Sequence, residues 1–452
     1  MLKHLLIIFC AVFILLFSYL WLAEGVKPRD AAQALSVVTG IGAKLGCSAR
    51  YLSGFDDNTI ESDLAGYSAA TRWLQISEPE PGVVSASLAG LSKTQAKFRP
   101  GLGCSLAYPA SGTNSVLDAV VVTRPEVDSA LPWPAGSRVD TPDPQLQIVL
   151  DEILAQDNAA GLQTRALLAV KNGRVLAESY APGIARDTPL LGWSMAKSVT
   201  AIMVGILEKQ GLAEIAQRNL FPAWRDDGRA QVTLENLLQM SSGLSFEEEY
   251  VPGSDSTRML FSSAHMAEVP MAQPLAHPPG SYFAYSSGTT NLLAKLVFDW
   301  VGGSAQSMAD FLHRELVLPL ALENTTFETD AGGVVIGSSY IYATARDWAR
   351  FGQLLVADGV INAQQVLSPD WVRRAVQPNS SDNDRRYGYQ FWLNAGGDKR
   401  WPSLPDEAFT MQGNREQVVM MLPGQGAVIV RLGWSSGDYP VDTNFARIIA
   451  EL

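Results

Sequence analysis

Histidine and cysteine are scarce in this chain, which has only four histidines and three cysteines among 452 residues. No C-x-x-C or H-x-x-H spacing occurs, so we predict neither a metal site nor a cofactor. Lysine and arginine are also in the minority, with 34 of them against 46 acidic residues, a formal net charge of −12 and no long basic run. This balance argues against nucleic acid, or an anionic lipid surface, as a main partner.

Charged residues of both signs make up only 18% of the chain, whereas hydrophobic residues make up 47%. Such a composition is typical of a globular protein with a large buried core, and it excludes a disordered chain. The length allows two or three domain-sized units.

One long run, residues 5–23, contains no charged side chain. It is long enough to span a bilayer core and follows Lys3 and His4, as in a signal anchor or signal peptide. We therefore predict a transmembrane helix within residues 1–24, with the rest of the chain exported to the periplasmic or extracellular side. Cleavage is disfavoured, because Trp21 stands where a small residue is expected.

Two of the three cysteines are candidates for a disulfide bond. Cys10 lies inside the hydrophobic run, which leaves Cys47 and Cys104 as a pair. Because an exported chain meets an oxidising environment, we predict a Cys47–Cys104 disulfide, with two free thiols as the alternative.

The most informative pattern is S-x-x-K, formed by Ser194 and Lys197 at the start of a predicted helix. The helix is indicated by an apolar face that includes Ile202 and Ile206, and Gly211 is placed to end it. Residues three apart share a helix face, so the amine would lie beside the hydroxyl. A lysine can deprotonate a serine when burial or nearby charge favours its neutral form. The alternative is a serine N-cap followed by a solvated lysine.

Two further polar groups are predicted on a loop at the end of an element. Tyr285 and Ser287 follow a turn that contains proline and glycine, and they precede an apolar helix predicted over residues 292–300. A tyrosine that faces the Ser–Lys pair can pass a proton from the nucleophile to the leaving group, and a serine can hydrogen-bond in the same cluster. An ordinary turn is the alternative.

Two β-hairpins and a closing helix are predicted around residues 166–180, 418–432 and 445–452. The first hairpin contains Asn172-Gly173, a turn pair favoured in tight hairpins. These elements predict an antiparallel sheet, with a helical lobe between about residues 200 and 340.

Taken together, these motifs resemble the serine β-lactamase-like superfamily, within it the class C-related branch that includes esterases and 6-aminohexanoate-dimer hydrolases. The resemblance spans about residues 145–452, in the family's order, and rests on six stretches: 194–197, 232–244, 285–287, 344–352, 387–392 and 413–417. It implies an α+β, β-lactamase/transpeptidase-like fold in which an antiparallel sheet is flanked by helices and joined by a helical lobe. Here that fold would carry an N-terminal membrane anchor.

Carried over residue by residue, the resemblance implies a catalytic group of Ser194, Lys197 and Tyr285. Ser194 would be acylated, Lys197 would be the general base and Tyr285 would assist proton transfer. Ser287 would complete the second family motif. The protein would then be an exported serine hydrolase that cleaves a small-molecule amide or ester through an acyl-serine intermediate.

The third family motif, Lys-Thr-Gly in penicillin-recognising members, falls at Met411-Gln412-Gly413. The resemblance implies that Met411 and Gln412 contact substrate, and that the backbone N–H of Asn414 joins that of the nucleophile in an oxyanion hole. Met411 carries no charge to attract a substrate carboxylate. We therefore expect a neutral or differently anchored amide or ester, with Arg415 as the nearest replacement cation.

Residues 246–250, Phe-Glu-Glu-Glu-Tyr, are predicted to line the entrance of the site. Tyr250 is placed to stack on the substrate, and we count it as a substrate-binding residue. We interpret the three glutamates as a solvated acidic loop, the common explanation for such a run.

A proline-rich segment marks the predicted domain boundary. Residues 124–144 contain five prolines, a density that disfavours helices and strands, so we predict the hydrolase domain over 140–452. Residues 25–139 are predicted to form an irregular extension packed on it. The glycine-rich stretch 40–46 misses the spacing of a dinucleotide-binding loop and is interpreted as a turn.

Three alternative functions compete with this hypothesis. Residues 192–196 imitate the G-x-S-x-G elbow of α/β-hydrolases, but Ala196 replaces the last glycine, and only His277 or His313 could serve as base. A penicillin-binding D-Ala carboxypeptidase or β-lactamase would share the acylation but would need carboxylate recognition. A membrane-anchored binding module would keep the fold without turnover.

Overall fold

The computed structural model describes residues 31–108 and 114–452. The predicted anchor at residues 1–24 lies outside these ranges. Within them, no helix combines the length and the apolar character that crossing a bilayer requires.

The N-terminal segment is regular, so the prediction of an irregular extension is wrong. It contains helices α1 (Ala31–Tyr51) and α2 (Asp57–Tyr67). A four-stranded antiparallel sheet follows, with β1 (Gln75–Glu80), β2 (Val83–Leu88), β3 (Ser92–Arg99) and β4 (Gly103–Leu106) in that order.

The glycines of residues 40–46 lie inside α1 rather than in a turn, which corrects the sequence interpretation. They allow close packing: a Cβ atom at Gly40 would lie 2.0 Å from the main-chain oxygen of Phe261, and one at Gly42 would lie 2.4 Å from a methyl carbon of Leu74. Glycine disfavours a helix by about 1 kcal/mol relative to alanine, so tertiary packing overrides local propensity here.

The extension is joined to the rest of the chain by buried groups. The ammonium of Lys44 pairs with the Glu328 carboxylate, and both side chains are buried. Ser48 Oγ donates to the same carboxylate over 2.8 Å, and the backbone N–H of Cys104 donates over 2.6 Å. Within the extension itself, a disulfide links Cys47 of α1 to Cys104 of β4. The extension therefore packs on the catalytic unit through contacts that exclude water.

Residues 119–143 have little regular structure, and the larger unit begins after them. The helices that remain are α3 (Asn114–Asp118), α4 (Pro144–Ala159), α5 (Met195–Lys209), α6 (Leu234–Leu238), α7 (Asp255–Ser262), α8 (Glu268–Met271), α9 (Ser287–Trp300), α10 (Ala305–Leu312), α11 (Leu318–Leu320), α12 (Ala345–Val356), α13 (Pro369–Ala375) and α14 (Val441–Ile449). The strands that remain are β5 (Thr164–Lys171), β6 (Arg174–Tyr180), β7 (Leu190–Leu191), β8 (Thr326–Phe327), β9 (Ile341–Ala343), β10 (Val360–Ile361), β11 (Gln364–Gln365), β12 (Trp392–Leu393), β13 (Phe409–Gly413), β14 (Gln417–Leu422) and β15 (Ala427–Gly433).

The main sheet is antiparallel and has the order β12-β13-β14-β15-β5-β6. Both predicted hairpins are confirmed within it. Asn172 and Gly173 turn the first, with φ values of 49° and 70°, and a turn over Pro423–Gln425 closes the second. The closing helix is also present, although it begins and ends a few residues earlier than predicted.

Both faces of the main sheet are covered by helices. Along β15, Val428 and Val430 face a core that includes α5 and α12, whereas Ala427 and Ile429 face α4 and α14. A strand buried on both faces alternates between two cores because successive side chains point in opposite directions. The helices α5 to α11 form the predicted helical lobe, and the α+β, β-lactamase/transpeptidase-like architecture is confirmed.

Candidate active site

The nucleophile candidate lies on a tight turn between β7 and α5. Ser194 is the N-cap of α5, and the residue before it, Trp193, has a φ of +47°. A non-glycine residue in this region is strained, and such strain is often found at functional sites. Gly192 begins the turn because a Cβ there would lie 2.1 Å from the ring of Trp348. The turn presents the Ser194 hydroxyl at the end of a helix.

Lys197 is enclosed one helical turn later, with 1% of its surface exposed. Its Nζ lies 2.9 Å from Ser194 Oγ, 2.9 Å from Ser287 Oγ and 3.0 Å from the main-chain oxygen of Ser338. Burial lowers the pKa of this amine from 10.5 to about 8, against the opposing charge of Glu248. The predicted Ser–Lys contact is therefore present, and the solvated-lysine alternative is excluded.

The structure brings Tyr285 and Ser287 to the same cluster. Ser286 caps α9, accepting a 3.0 Å hydrogen bond from the backbone N–H of Thr289, so Ser287 is the first residue of the helix and not part of the loop. Tyr285 stays on the loop, and its ring stacks on Trp392 with 5.3 Å between centroids. Burial raises the pKa of the Tyr285 phenol, and a hydrogen bond with Ser194 opposes that shift.

Glu248, which we interpreted as solvated, is part of this cluster. Its carboxylate accepts two 2.6 Å hydrogen bonds from Ser287, one from the backbone N–H and one from Oγ. Tyr250 also hydrogen-bonds to it, and burial raises the pKa of the carboxyl. The interpretation was wrong because an acidic run gives no indication of which carboxylate folds inward; its neighbours Glu247 and Glu249 are exposed.

The end of β13 lies against the nucleophile turn, at the position predicted for an oxyanion hole. A Cβ at Gly413 would lie 2.1 Å from the main-chain oxygen of Gly192 and 3.1 Å from the backbone nitrogen of Ser194. Only glycine permits this approach. Asn414 follows directly, and it lines the same cavity as Ser194.

Met411 and Gln412 occupy different environments. Gln412 lines the cavity, as predicted for a substrate-binding residue. Met411 is fully buried in the main core, because side chains alternate along β13 and its own faces the helices. Met411 is therefore absent from the lining of the cavity, which differs from the expectation that it contacts substrate.

A cavity of about 550 Å³ opens above Ser194. Its walls include the predicted Tyr285, Gly413 and Asn414, and Tyr250, whose exposed fraction is 40%. A second group of lining residues comes from the N-terminal extension: Val37, Val38, Ile41, Tyr67 and Ser68. Local sequence patterns do not predict this wall, because it joins segments that are far apart in the chain.

No histidine among the described residues lines this cavity. His277 instead stacks on Tyr282, with 4.2 Å between ring centroids. An α/β-hydrolase elbow needs a histidine base beside the serine, so the structure favours lysine in that role.

The family model named Beta-lactamase matches residues 150–450. The chain belongs to the Beta-lactamase family. The 6-aminohexanoate-dimer hydrolase of Paenarthrobacter ureafaciens is 25% identical over 331 residues, which is 68% of this chain and 84% of that protein.

Solved structures show the same Beta-lactamase fold. A candidate 6-aminohexanoate-dimer hydrolase from Bacillus anthracis aligns with a TM-score of 0.58 and 19% identity, covering 76% of this chain and 94% of its own. A family VIII carboxylesterase aligns with a TM-score of 0.54 and 14% identity, and the alignment covers 69% of this chain and 98% of the carboxylesterase.

The Beta-lactamase family match contains the whole cluster from Ser194 to Asn414, and it excludes residues 31–68. The protein is therefore a hydrolase of the serine β-lactamase fold whose cavity has an additional wall from outside the matched region.

Proposed function

We propose that the protein hydrolyses a small amide or ester through an acyl-Ser194 intermediate. The observation that carries this proposal is the buried amine of Lys197, 2.9 Å from Ser194 Oγ. With its pKa lowered to about 8, roughly a tenth of this amine is neutral at pH 7 and can take the serine proton.

The proposed reaction has two balanced halves. Ser194 Oγ attacks the substrate carbonyl carbon as its proton moves to Lys197 Nζ, and the backbone N–H groups of Ser194 and Asn414 bind the oxyanion. Collapse of this tetrahedral adduct breaks the bond to the leaving group, and the leaving group takes a proton relayed through Tyr285. Water then adds to the ester carbonyl and loses its proton to the same relay, which releases the acid and restores Ser194.

We propose a substrate that is not anchored by a lysine at the third family motif. Met411 carries no charge and is buried, so it cannot attract a carboxylate. The relative from Paenarthrobacter is named for an aminohexanoate dimer, so linear amides are the first substrates to test.

We also propose that the hydrolase acts outside the cytoplasm, anchored through residues 1–24. The disulfide between Cys47 and Cys104 supports this proposal, because such bonds persist in oxidising compartments. In spheroplasts that express the full chain, added protease should degrade the hydrolase, and alkaline washing should leave it in the membrane fraction. Protection from protease in intact spheroplasts would contradict the proposal.

The chemical proposal is tested with a fluorophosphonate probe and mass spectrometry. We expect a single adduct on Ser194, its loss in Ser194→Ala, and turnover of linear amides or short esters by the wild type only. Acylation by labelled penicillin, with faster turnover of β-lactams than of linear amides, would favour the penicillin-recognising alternative. Binding without turnover of any of these would favour a binding module.

A further inference from the structure

Glu248 is a carboxylate at the centre of the catalytic cluster, and the proposed reaction gives it no role. The hydrogen bonds run in sequence from Glu248 through Ser287 to Lys197 and Ser194. The direction of each of these hydrogen bonds follows from the donors and acceptors that each group possesses.

Ser287 is the first group whose hydrogen bonds are fixed. An ionised carboxylate can only accept, so in the 2.6 Å contact between Ser287 Oγ and Glu248 the hydroxyl donates. The backbone N–H of Ser287 donates to the second carboxylate oxygen over 2.6 Å. Because a hydroxyl has one proton, Ser287 Oγ can then only accept in its 2.9 Å contact with Lys197.

Lys197 is the second group whose hydrogen bonds are fixed. A neutral amine has two N–H donors and one lone pair. One N–H is taken by Ser287 Oγ, and the other by the main-chain oxygen of Ser338 at 3.0 Å, which is an acceptor only. The lone pair is left for the third neighbour, Ser194 Oγ at 2.9 Å.

We propose that Glu248 is a positioning residue: by accepting the only hydroxyl proton of Ser287, it directs the lone pair of Lys197 to Ser194. This inference rests on the proposed serine hydrolase function. Glu248 also lines the cavity, but the proposed role acts on Lys197 through Ser287 and requires no contact with substrate. Lys197 can then act as a base because of the donor-to-acceptor direction of these hydrogen bonds as well as their lengths.

Glutamine at position 248 should reverse the direction of the hydrogen bond between Ser287 and Lys197, while it preserves the shape of the side chain. The backbone N–H of Ser287 needs an acceptor, so the new amide oxygen must face it and the amide N–H must face Ser287 Oγ. Ser287 then accepts from the amide and donates to Lys197, while the Tyr250 hydroxyl, which also neighbours Ser287, keeps its own hydrogen bond to the side chain at position 248. The lone pair of Lys197 is occupied and no longer faces Ser194.

We expect Glu248→Gln to slow fluorophosphonate labelling of Ser194 about 100-fold, the lower end of what a general base contributes. Glu248→Asp keeps an acceptor-only group and should restore most of that rate. The matched controls are Glu247→Gln and Glu249→Gln, which change exposed carboxylates in the same loop and should label at the wild-type rate. Thermal unfolding of each variant shows whether the fold is retained.

The pH profile separates positioning from a structural role. The titratable groups that interact electrostatically with Glu248 are Lys197 from α5 and the tyrosines at 250, 285 and 387. Because the Glu248 charge raises the pKa of Lys197, Glu248→Gln should shift the rise in labelling rate to lower pH while the plateau falls. A loss of packing alone would lower the plateau without that shift.

A double-mutant cycle tests whether Glu248 acts through the Ser287 hydroxyl. In a Ser287→Ala background the hydroxyl is gone, so adding Glu248→Gln should change the labelling rate by less than about 3-fold. A further loss near 100-fold would overturn the inference. Equal labelling of wild type and Glu248→Gln, with the same pH profile, would also overturn it and leave the hydrolase proposal intact. Absence of labelling in the wild type would instead overturn the hydrolase proposal.

Discussion

The ring of Tyr67 stacks on the indole of Trp193, with 5.2 Å between ring centroids and 6° between planes. Tyr67 is the last residue of α2, outside the Beta-lactamase match, whereas Trp193 is the strained residue immediately before Ser194. The extension therefore supports the turn that presents the Ser194 hydroxyl, and the same segment forms part of the cavity wall.

The wall formed by α1 should limit the size of the substrate. Val38 lines the cavity, so Val38→Phe should extend a ring into it. We expect kcat/KM for p-nitrophenyl hexanoate to fall about 10-fold more than kcat/KM for the acetate, because the longer chain needs the space that the ring fills. Val121→Phe, at a side chain that is 70% exposed, is the control and should leave the ratio unchanged. Equal losses for both esters would contradict the assignment of this wall.

The buried pair of Lys44 and Glu328 should make the extension essential for stability. Lys44→Met leaves the Glu328 carboxylate buried without its partner, which should lower the free energy of unfolding by about 3–5 kcal/mol. Arg174→Ala removes an exposed ion pair with Asp140 and should cost less than about 1 kcal/mol. Urea unfolding of both variants makes the comparison, and similar losses would show that the buried pair does not fasten the extension.

Activity should rise with pH through the pKa of Lys197. In the proposed mechanism the neutral amine is the base, and burial lowers its pKa to about 8, so the protonated form, which cannot act as the base, predominates below that pH. We expect kcat/KM to increase up to about pH 8 and then to level off, because further deprotonation adds no base. A rise near pH 10.5, the ordinary value of a lysine, would show that Lys197 is not desolvated in solution.

The approach of Gly413 to the nucleophile turn predicts a specific catalytic defect. In Gly413→Ala the new methyl group would meet the main-chain oxygen of Gly192, so β13 and Asn414 must shift away from Ser194. Loss of one oxyanion-hole donor lowers kcat by about 10²–10³-fold, and we expect a loss in that range with little change in KM. Gly437→Ala is the control, since nothing lies within 4 Å of its Cβ position. Wild-type kcat in Gly413→Ala would exclude this strand end from the oxyanion hole.

Much of the catalytic unit could be predicted from short stretches of sequence. The hairpin at Asn172-Gly173 follows from turn chemistry, and the one over β14 and β15 follows from two apolar runs around a Pro-Gly turn. The contact between Ser194 and Lys197 follows from helical spacing. These features depend on residues that are close in the chain, so local pattern is sufficient to predict them.

The sequence by itself determined the pair of Ser194 and Lys197, because three residues of helix fix their distance whatever surrounds them. Only the tertiary structure decided that Glu248 turns inward while Glu247 and Glu249 stay in water, and that Met411 faces the core. It also decided that α1 is a helix in spite of its glycines and forms a wall of the cavity. Burial and desolvation depend on contacts between segments that are far apart in the chain, and the sequence pattern around each residue does not predict those contacts.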